Sequence, residues 1–475
     1  MKKVKTDPTA ALSAFEVLVM KHDGFLDLSV RDILDGYRKR RFLPRDVARH
    51  CINMTEKLDG RYKAFERFDP EKLMALALDA EQRLAAEIPL RALEGIPVGV
   101  KDIFNTIDFP TQMGSPIWKD FQAGNDARVV YSLKQAGALI PGKTVTAEFA
   151  VHTLQKTINP HAADRTPGTS SSGSAVAVAT GMLPVAIGTQ TAGSIVRPAS
   201  FCGIYGCKPS FGLIPRTGSL KTTDSLDTIG FFTTHVTDLE LVFDVLRVHG
   251  LNYPLSHRIL HDETRQKKPD SRPWRVALVK THTWEYAPEY ARESIQDWSK
   301  RLSRDTAIEV MEKELPGEMA EAHEVHATIY DCTLAYYFKE EYKKKELVSP
   351  IMNAIIERGM RVSPNDYQAA LKRQEVLAAS MEIFFENVDA LVCLSTAGEA
   401  PLREITEKPD PALMWTLTHL PVISAPVFRS PGGLPFGAQL AARRYNDKLL
   451  FRFAEYLHGR DLIPTGPNPR ARILE

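Results

Sequence analysis

What most restricts the fold of this chain is a rhythm of short apolar runs bounded by glycine, proline or charge, with longer amphipathic segments between them. The runs are "IPVGV" (96–100), "ALI" (138–140), "LPVAIG" (183–188), "VALV" (276–279) and "ALVCL" (390–394). Segments such as "ARVVYSLKQAG" (127–137) and "VTDLELVFDVLRVHG" (236–250) separate them and space apolar residues three and four apart, as a helix burying one face requires. Strands that are apolar throughout must be covered on both sides. The pattern therefore predicts an α/β fold with helices on both faces of a central sheet.

The flanking regions are helical. "SVRDILDGYRKR" (29–40), "PRDVARHCINMTEKLDG" (44–60) and "PEKLMALALDAEQRLAAE" (70–87) carry helical periodicity, with Pro44 and Pro70 where a helix start tolerates proline, so residues 1–90 read as helices wrapping the core. The polar, proline-broken stretch 251–274 reads as a surface excursion. Helices follow at 287–303, 319–345 and 365–386, then a final strand and helix. The length of 475 residues alone allows two or three average domains or one large one.

Composition excludes several classes of partner. Sixty Lys and Arg against 59 Asp and Glu leave a net charge of +1, so no global field recruits nucleic acid or an anionic membrane, and a small molecule is the expected partner. Five cysteines (51, 202, 207, 332, 393) are too few and too scattered for a disulfide framework, which implies a reducing compartment. Cys202 and Cys207 have no second pair nearby to complete a metal site. Neither a secretory leader nor a window of roughly 18 apolar residues is present, so the expected location is the cytoplasm.

Three motifs compete for chemistry. "GALIPGKT" (137–144) fits the phosphate-loop pattern, but Gly137 follows an amphipathic helix as a cap would and "ALIP" reads as the strand itself, which argues against nucleotide binding. "EAHEVHATIYDC" (321–332) sets His323 and His326 three apart, yet no third ligand accompanies them, and a solvated helix face is the simpler reading. No G-x-S-x-G elbow surrounds any serine between a strand and a helix.

The serines remain. Ser170, Ser171 and Ser172 precede "GSAVAVATG", a helix start whose backbone N–H groups favour negative charge. Ser194 follows Ala192 and Gly193, small residues that let backbone amides approach a reacting carbonyl. Both could equally be ordinary caps or turns. A serine nucleophile needs a base, and Lys101, ending "IPVGVK", sits where burial would lower an amine's pKa. The plain alternative is a lysine paired with neighbouring Asp102.

In this order these pieces resemble the amidase signature family of serine hydrolases. The resemblance rests on "LEGIPVGVKDIFNT", "GALIPGKTVTAEFA", "NPHAADRTPGTSSSGSAVAVATG", "GTQTAGSIVRPASFCGIYGCKPSFGLIPRTG" and "LPVISAPVFRSPGGLPFGAQL", a collinear set covering most of the chain. It implies one large α/β/α domain over residues 1–475 with a mixed sheet, residues 251–345 forming a peripheral excursion and pocket-shaping helices. It also implies a triad of Lys101 as base, Ser170 as bridging serine in a cis peptide, and Ser194 as nucleophile. The backbone of Thr191, Ala192 and Gly193, with Ser194, would hold the oxyanion, and Met113, Phe149 and Trp415 would line the substrate pocket. No cofactor or metal is implied, the substrate is a small or medium carboxamide, and a homodimer is compatible with this reading.

Departures from the family pattern mark the open points. Thr169 and Ser172 stand where glycines are usual, which leaves Ser171 as an alternative bridge. Gln190 and Val196 replace the usual Asp and Arg, with an arginine only at Arg197, and Ala192 replaces a glycine, for which negative φ is expected. Two other readings share the scaffold: the glutaminase subunit of a tRNA-dependent amidotransferase, and a catalytically inactive binding protein.

Overall fold

A computed structural model describes residues 25, 27–405, 407 and 411–466. Among them, eleven strands form one sheet: β1 (Phe65–Phe68), β2 (Val98–Lys101), β3 (Gly142–Thr144), β4 (Val185–Gln190), β5 (Tyr205–Lys208), β6 (Thr228–Thr233), β7 (Trp274–Leu278), β8 (Ile308–Glu312), β9 (Ala390–Leu394), β10 (Val422–Arg429) and β11 (Pro435–Ala441). Their spatial order is β1-β3-β2-β4-β6-β5-β10-β11-β9-β7-β8. The sheet is mixed, with β3, β2 and β4 parallel, β9, β7 and β8 parallel, and antiparallel pairs between.

Alternate residues of the strands enter different cores. Val185 and Ile187 of β4, Val276 and Leu278 of β7 and Val392 of β9 pack into one apolar cluster with the helices at Val30–Arg38, Leu239–Leu246 and Glu289–Leu302. Ala186, Ala277 and Leu391 face the other way, where the helices Ser172–Ala179, Ala322–Tyr337 and Pro364–Phe384 lie. Both faces are thus buried, as the uniformly apolar runs demanded.

Two expected boundaries differ. The strand read at "ALIP" begins later, at Gly142, while Leu139 makes only an isolated bridge to Pro97. The lysine of the phosphate-loop lookalike therefore lies inside β3, not at a helix start, and Gly137 closes the helix Arg128–Gln135 by donating to Lys134 O at 3.0 Å. The excursion at 251–274 contains two short helices, Pro254–Leu260 and Glu263–Gln266, because Pro254 and the Asp262 side chain each start one.

The helix Ser172–Ala179 is made of Ser, Gly, Ala and Val and is buried along its whole length. Small side chains let it approach the sheet closely: a Cβ at Gly173 would meet Ala64 O at 2.3 Å and Val145 N at 2.4 Å. This contact brings the serines that precede the helix to the end of β2, where Lys101 sits.

Candidate active site

Lys101 is fully buried at the end of β2, between its parallel neighbours β3 and β4. Its Nζ lies 2.8 Å from Ser170 Oγ, 3.0 Å from Ser171 Oγ and 3.0 Å from Thr189 Oγ1. Burial holds the amine well below its ordinary pKa, with the Asp227 carboxylate pulling weakly the other way. A neutral amine has two N–H donors and one lone pair, so its three neighbours cannot play the same part.

Donor counting separates them. Ser171 Oγ–H donates to Thr189 O at 3.2 Å, and Ser171 Oγ accepts from Thr189 N–H at 3.3 Å. Its proton is already used, so toward Lys101 it can only accept. Ser170 Oγ and Thr189 Oγ1 share the remaining amine N–H and the lone pair, and of the two serines only Ser170 has a hydroxyl proton that no other acceptor takes among the described residues. Gly188 makes room for this arrangement, since a Cβ there would meet Ser171 Oγ at 2.7 Å.

Lys101 does not pair with Asp102. Adjacent strand residues point to opposite faces, and Asp102 Oδ1 accepts instead from Lys143 Nζ at 2.8 Å, both side chains being buried. Lys143 also reaches Pro110 O at 3.1 Å and Thr111 Oγ1 at 3.0 Å. The lysine of "GKT" is thus a structural cation. Burial pushes the Asp102 carboxyl up to about 6 against the pull of Lys143.

The peptide bond between Thr169 and Ser170 is cis. Thr169 is gripped from one side: its N–H donates to Glu407 Oε1 at 3.3 Å, and its hydroxyl to Glu407 Oε2 at 3.1 Å. Buried Arg197 pairs with the same carboxylate and donates to Thr169 Oγ1 at 3.1 Å. Thr166 Oγ1 donates to Glu407 Oε1 at 3.0 Å. Thr169, in a position of glycine in the family pattern, gives this clamp its handle. Ser172, the other such position, donates to Thr157 Oγ1 at 3.4 Å.

The loop before the helix Val196–Cys202 carries Ser194, 7% exposed. Gln190 Oε1 accepts from Ile195 N–H at 2.9 Å and Val196 N–H at 3.0 Å, so a neutral amide caps the helix where the family pattern has an aspartate. Three carbonyls of the loop are occupied: Thr191 O by His326 Nε2 at 2.9 Å, Ala192 O by Thr416 Oγ1 at 2.7 Å, and Gly193 O by Arg197 N–H at 2.8 Å. Among the described residues, the backbone N–H groups of Thr191, Ala192, Gly193 and Ser194 have no hydrogen-bond acceptor. Ala192 is not among the residues with positive φ. No hydrogen bond among the described residues joins the Ser194 hydroxyl to Ser170 or Lys101.

A cavity of about 690 Å³ reaches this loop at Ala192 and the cis bond at Thr169. Met113, Phe149 and Trp415 do not line it; they are buried in the apolar cluster on that side of the sheet. The helix Ala412–Leu417 turns Trp415 inward and Leu413 toward the cavity. His326 is also not on a solvated helix face. It is buried, burial pushes its pKa down to about 4, and as a neutral ring with a carbonyl at Nε2 it must carry its proton there. Among the described residues, no group of three or more His, Cys, Asp or Glu could hold a metal ion.

The chain belongs to the Amidase family, whose sequence pattern it matches over residues 46–451. AmiD of Mycobacterium tuberculosis (strain ATCC 25618 / H37Rv) is 28% identical over 91% of this chain and 94% of its own. The A-type subunit of the glutamyl-tRNA(Gln) amidotransferase of Cyanothece sp. (strain PCC 7425 / ATCC 29141) is also 28% identical, over 90% and 96%. The solved peptide amidase of Stenotrophomonas maltophilia superposes with a TM-score of 0.79 at 23% identity, covering 94% of this chain and 99% of that one, a likeness of fold.

Proposed function

We propose that this protein hydrolyses a small or medium carboxamide through Ser194, Ser170 and Lys101. The observation that carries the reading is a fully buried lysine 2.8 Å from Ser170 Oγ, in a site where, among the described residues, the four consecutive amides from Thr191 to Ser194 have no acceptor. Ser194 Oγ attacks the carbonyl carbon, its proton passes to Ser170, and the Ser170 proton passes to Lys101. The oxyanion forms against the N–H groups of Thr191 to Ser194. The relay then reverses, the nitrogen leaves protonated as the C–N bond breaks, and water releases the carboxylate from the acyl-enzyme. Because Ser170 and Ser194 are not hydrogen-bonded, this relay forms when substrate aligns the nucleophile.

Free, mostly buried cysteines fit a reducing cytoplasmic setting. The reading as a glutaminase draws on the likeness to the amidotransferase relatives, but among the described residues Arg197 and Arg358 of the cavity are already paired with Glu407 and Asp331, which disfavours an amino acid's ammonium and carboxylate there. Fluorophosphonate labelling tests the proposal. A single adduct mapped to Ser194 and absent from Ser194→Ala supports it, whereas an adduct elsewhere refutes it. Ammonia release from glutamine by the isolated chain would favour the glutaminase instead.

A further inference from the structure

We infer that the acyl part of the substrate is uncharged and apolar, taken up by the cavity beyond Ala192; this rests on the hydrolase reading above. Most of the charges that the described residues bring to the cavity are already engaged. Arg197 pairs with Glu407. Arg358 forks onto Asp331 at 2.7 and 3.1 Å. Arg403 donates to Thr157 O at 2.6 Å and Gln155 O at 3.1 Å, with Glu404 supporting its charge. Two of the three lining arginines are thus paired with carboxylates, and the third is held by backbone carbonyls. A charged substrate group would have to lose its water and compete with these contacts for any buried partner.

The rest of the lining has the opposite character. Leu154, Ile355 and Leu413 form walls, and Tyr330 adds a ring. At the rim, Ile351 and Ile405 are 47% and 53% exposed while lining the same cavity, so apolar surface is kept open to solvent there. His152 and His326 are both pushed down to about 4 by burial and add no charge at neutral pH. The volume of about 690 Å³ falls within the roughly 300–1,000 Å³ of sites that enclose whole small ligands.

The experiment measures kcat/KM of the full chain for linear primary amides from propanamide to octanamide. Hexanamide is then compared with carboxylate-ended and ammonium-ended amides of the same length. Each methylene removed from water should raise kcat/KM about fourfold until the cavity is filled, and hexanamide should exceed both charged analogues by about a hundredfold. Ile405→Lys should narrow its margin over the carboxylate-ended amide by at least about tenfold. A flat series, no turnover of any neutral member, or a charged analogue that matches hexanamide overturns the inference. Fluorophosphonate labelling in parallel separates the two failures: with Ser194 labelled, only the substrate class falls; without it, the hydrolase reading falls as well.

Discussion

Ser171 and Thr189 are bonded to each other twice, hydroxyl to carbonyl at 3.2 Å and amide to hydroxyl at 3.3 Å, which ties the serine's proton to the backbone of β4. Of the two serines beside Lys101, this leaves Ser170 with a proton to pass.

Ser170→Ala should lower kcat about 10³-fold, the loss expected when a proton-relay group is removed. Ser171→Ala removes one acceptor from Lys101 and should cost about tenfold. Steady-state kinetics on a common substrate measure both, and equal losses would contradict the donor count.

The proposed relay requires neutral Lys101, so activity should be full above the lysine's lowered pKa and fall as pH drops through it. Stability runs the same way. The unfolded lysine, with a pKa near roughly 10.4, binds a proton that the folded one does not, so folding loses stability as pH falls below that value. Lys101→Met should be inactive yet more stable near pH 7, its advantage shrinking toward pH 10. Thermal melts across that range check this, and an advantage independent of pH would oppose it.

Glu407→Gln leaves Arg197 buried without its carboxylate and loosens Thr169. We expect at least a tenfold loss of kcat/KM and a destabilisation of about 3 kcal/mol. Adding Arg197→Met to Glu407→Gln should restore part of the stability, so a double-mutant cycle in urea unfolding should show coupling. Additive effects would mean that the clamp contributes nothing as a unit.

His326→Leu removes the donor on Thr191 O. Its kcat should fall roughly tenfold with KM nearly unchanged, because the loop matters most when the oxyanion forms. His326→Gln, which keeps an N–H donor, should recover most of the loss. A trifluoromethyl ketone inhibitor should weaken in step with kcat, and an unchanged inhibition constant would argue against a positioning role.

Much of this was legible in the sequence, and the illegible parts share a cause. The sheet was visible because strands buried on both faces must be apolar throughout, as β4 and β9 are. Lys101 stood out as a charge ending such a run, and the serines were conspicuous as small polar residues leading into a buried helix. Glu407 and Thr416 gave no local signal, and His326, conspicuous only for its spacing from His323, gave none of the bond it makes. Each is an ordinary residue whose part is decided by a bond to a loop more than a hundred positions away. Asp102 misled for a related reason: a sequence neighbour of Lys101 is turned to the opposite face of the strand, where Lys143 meets it.

The bond from Arg197 to Glu407 spans 210 positions of the chain. A ribosome that has completed Lys101, Ser170 and Ser194 must still add the whole excursion, the helices that follow it and β9 before the carboxylate that grips Thr169 emerges. The clamp on the cis bond is thus withheld from the nascent chain and can close only near the end of synthesis.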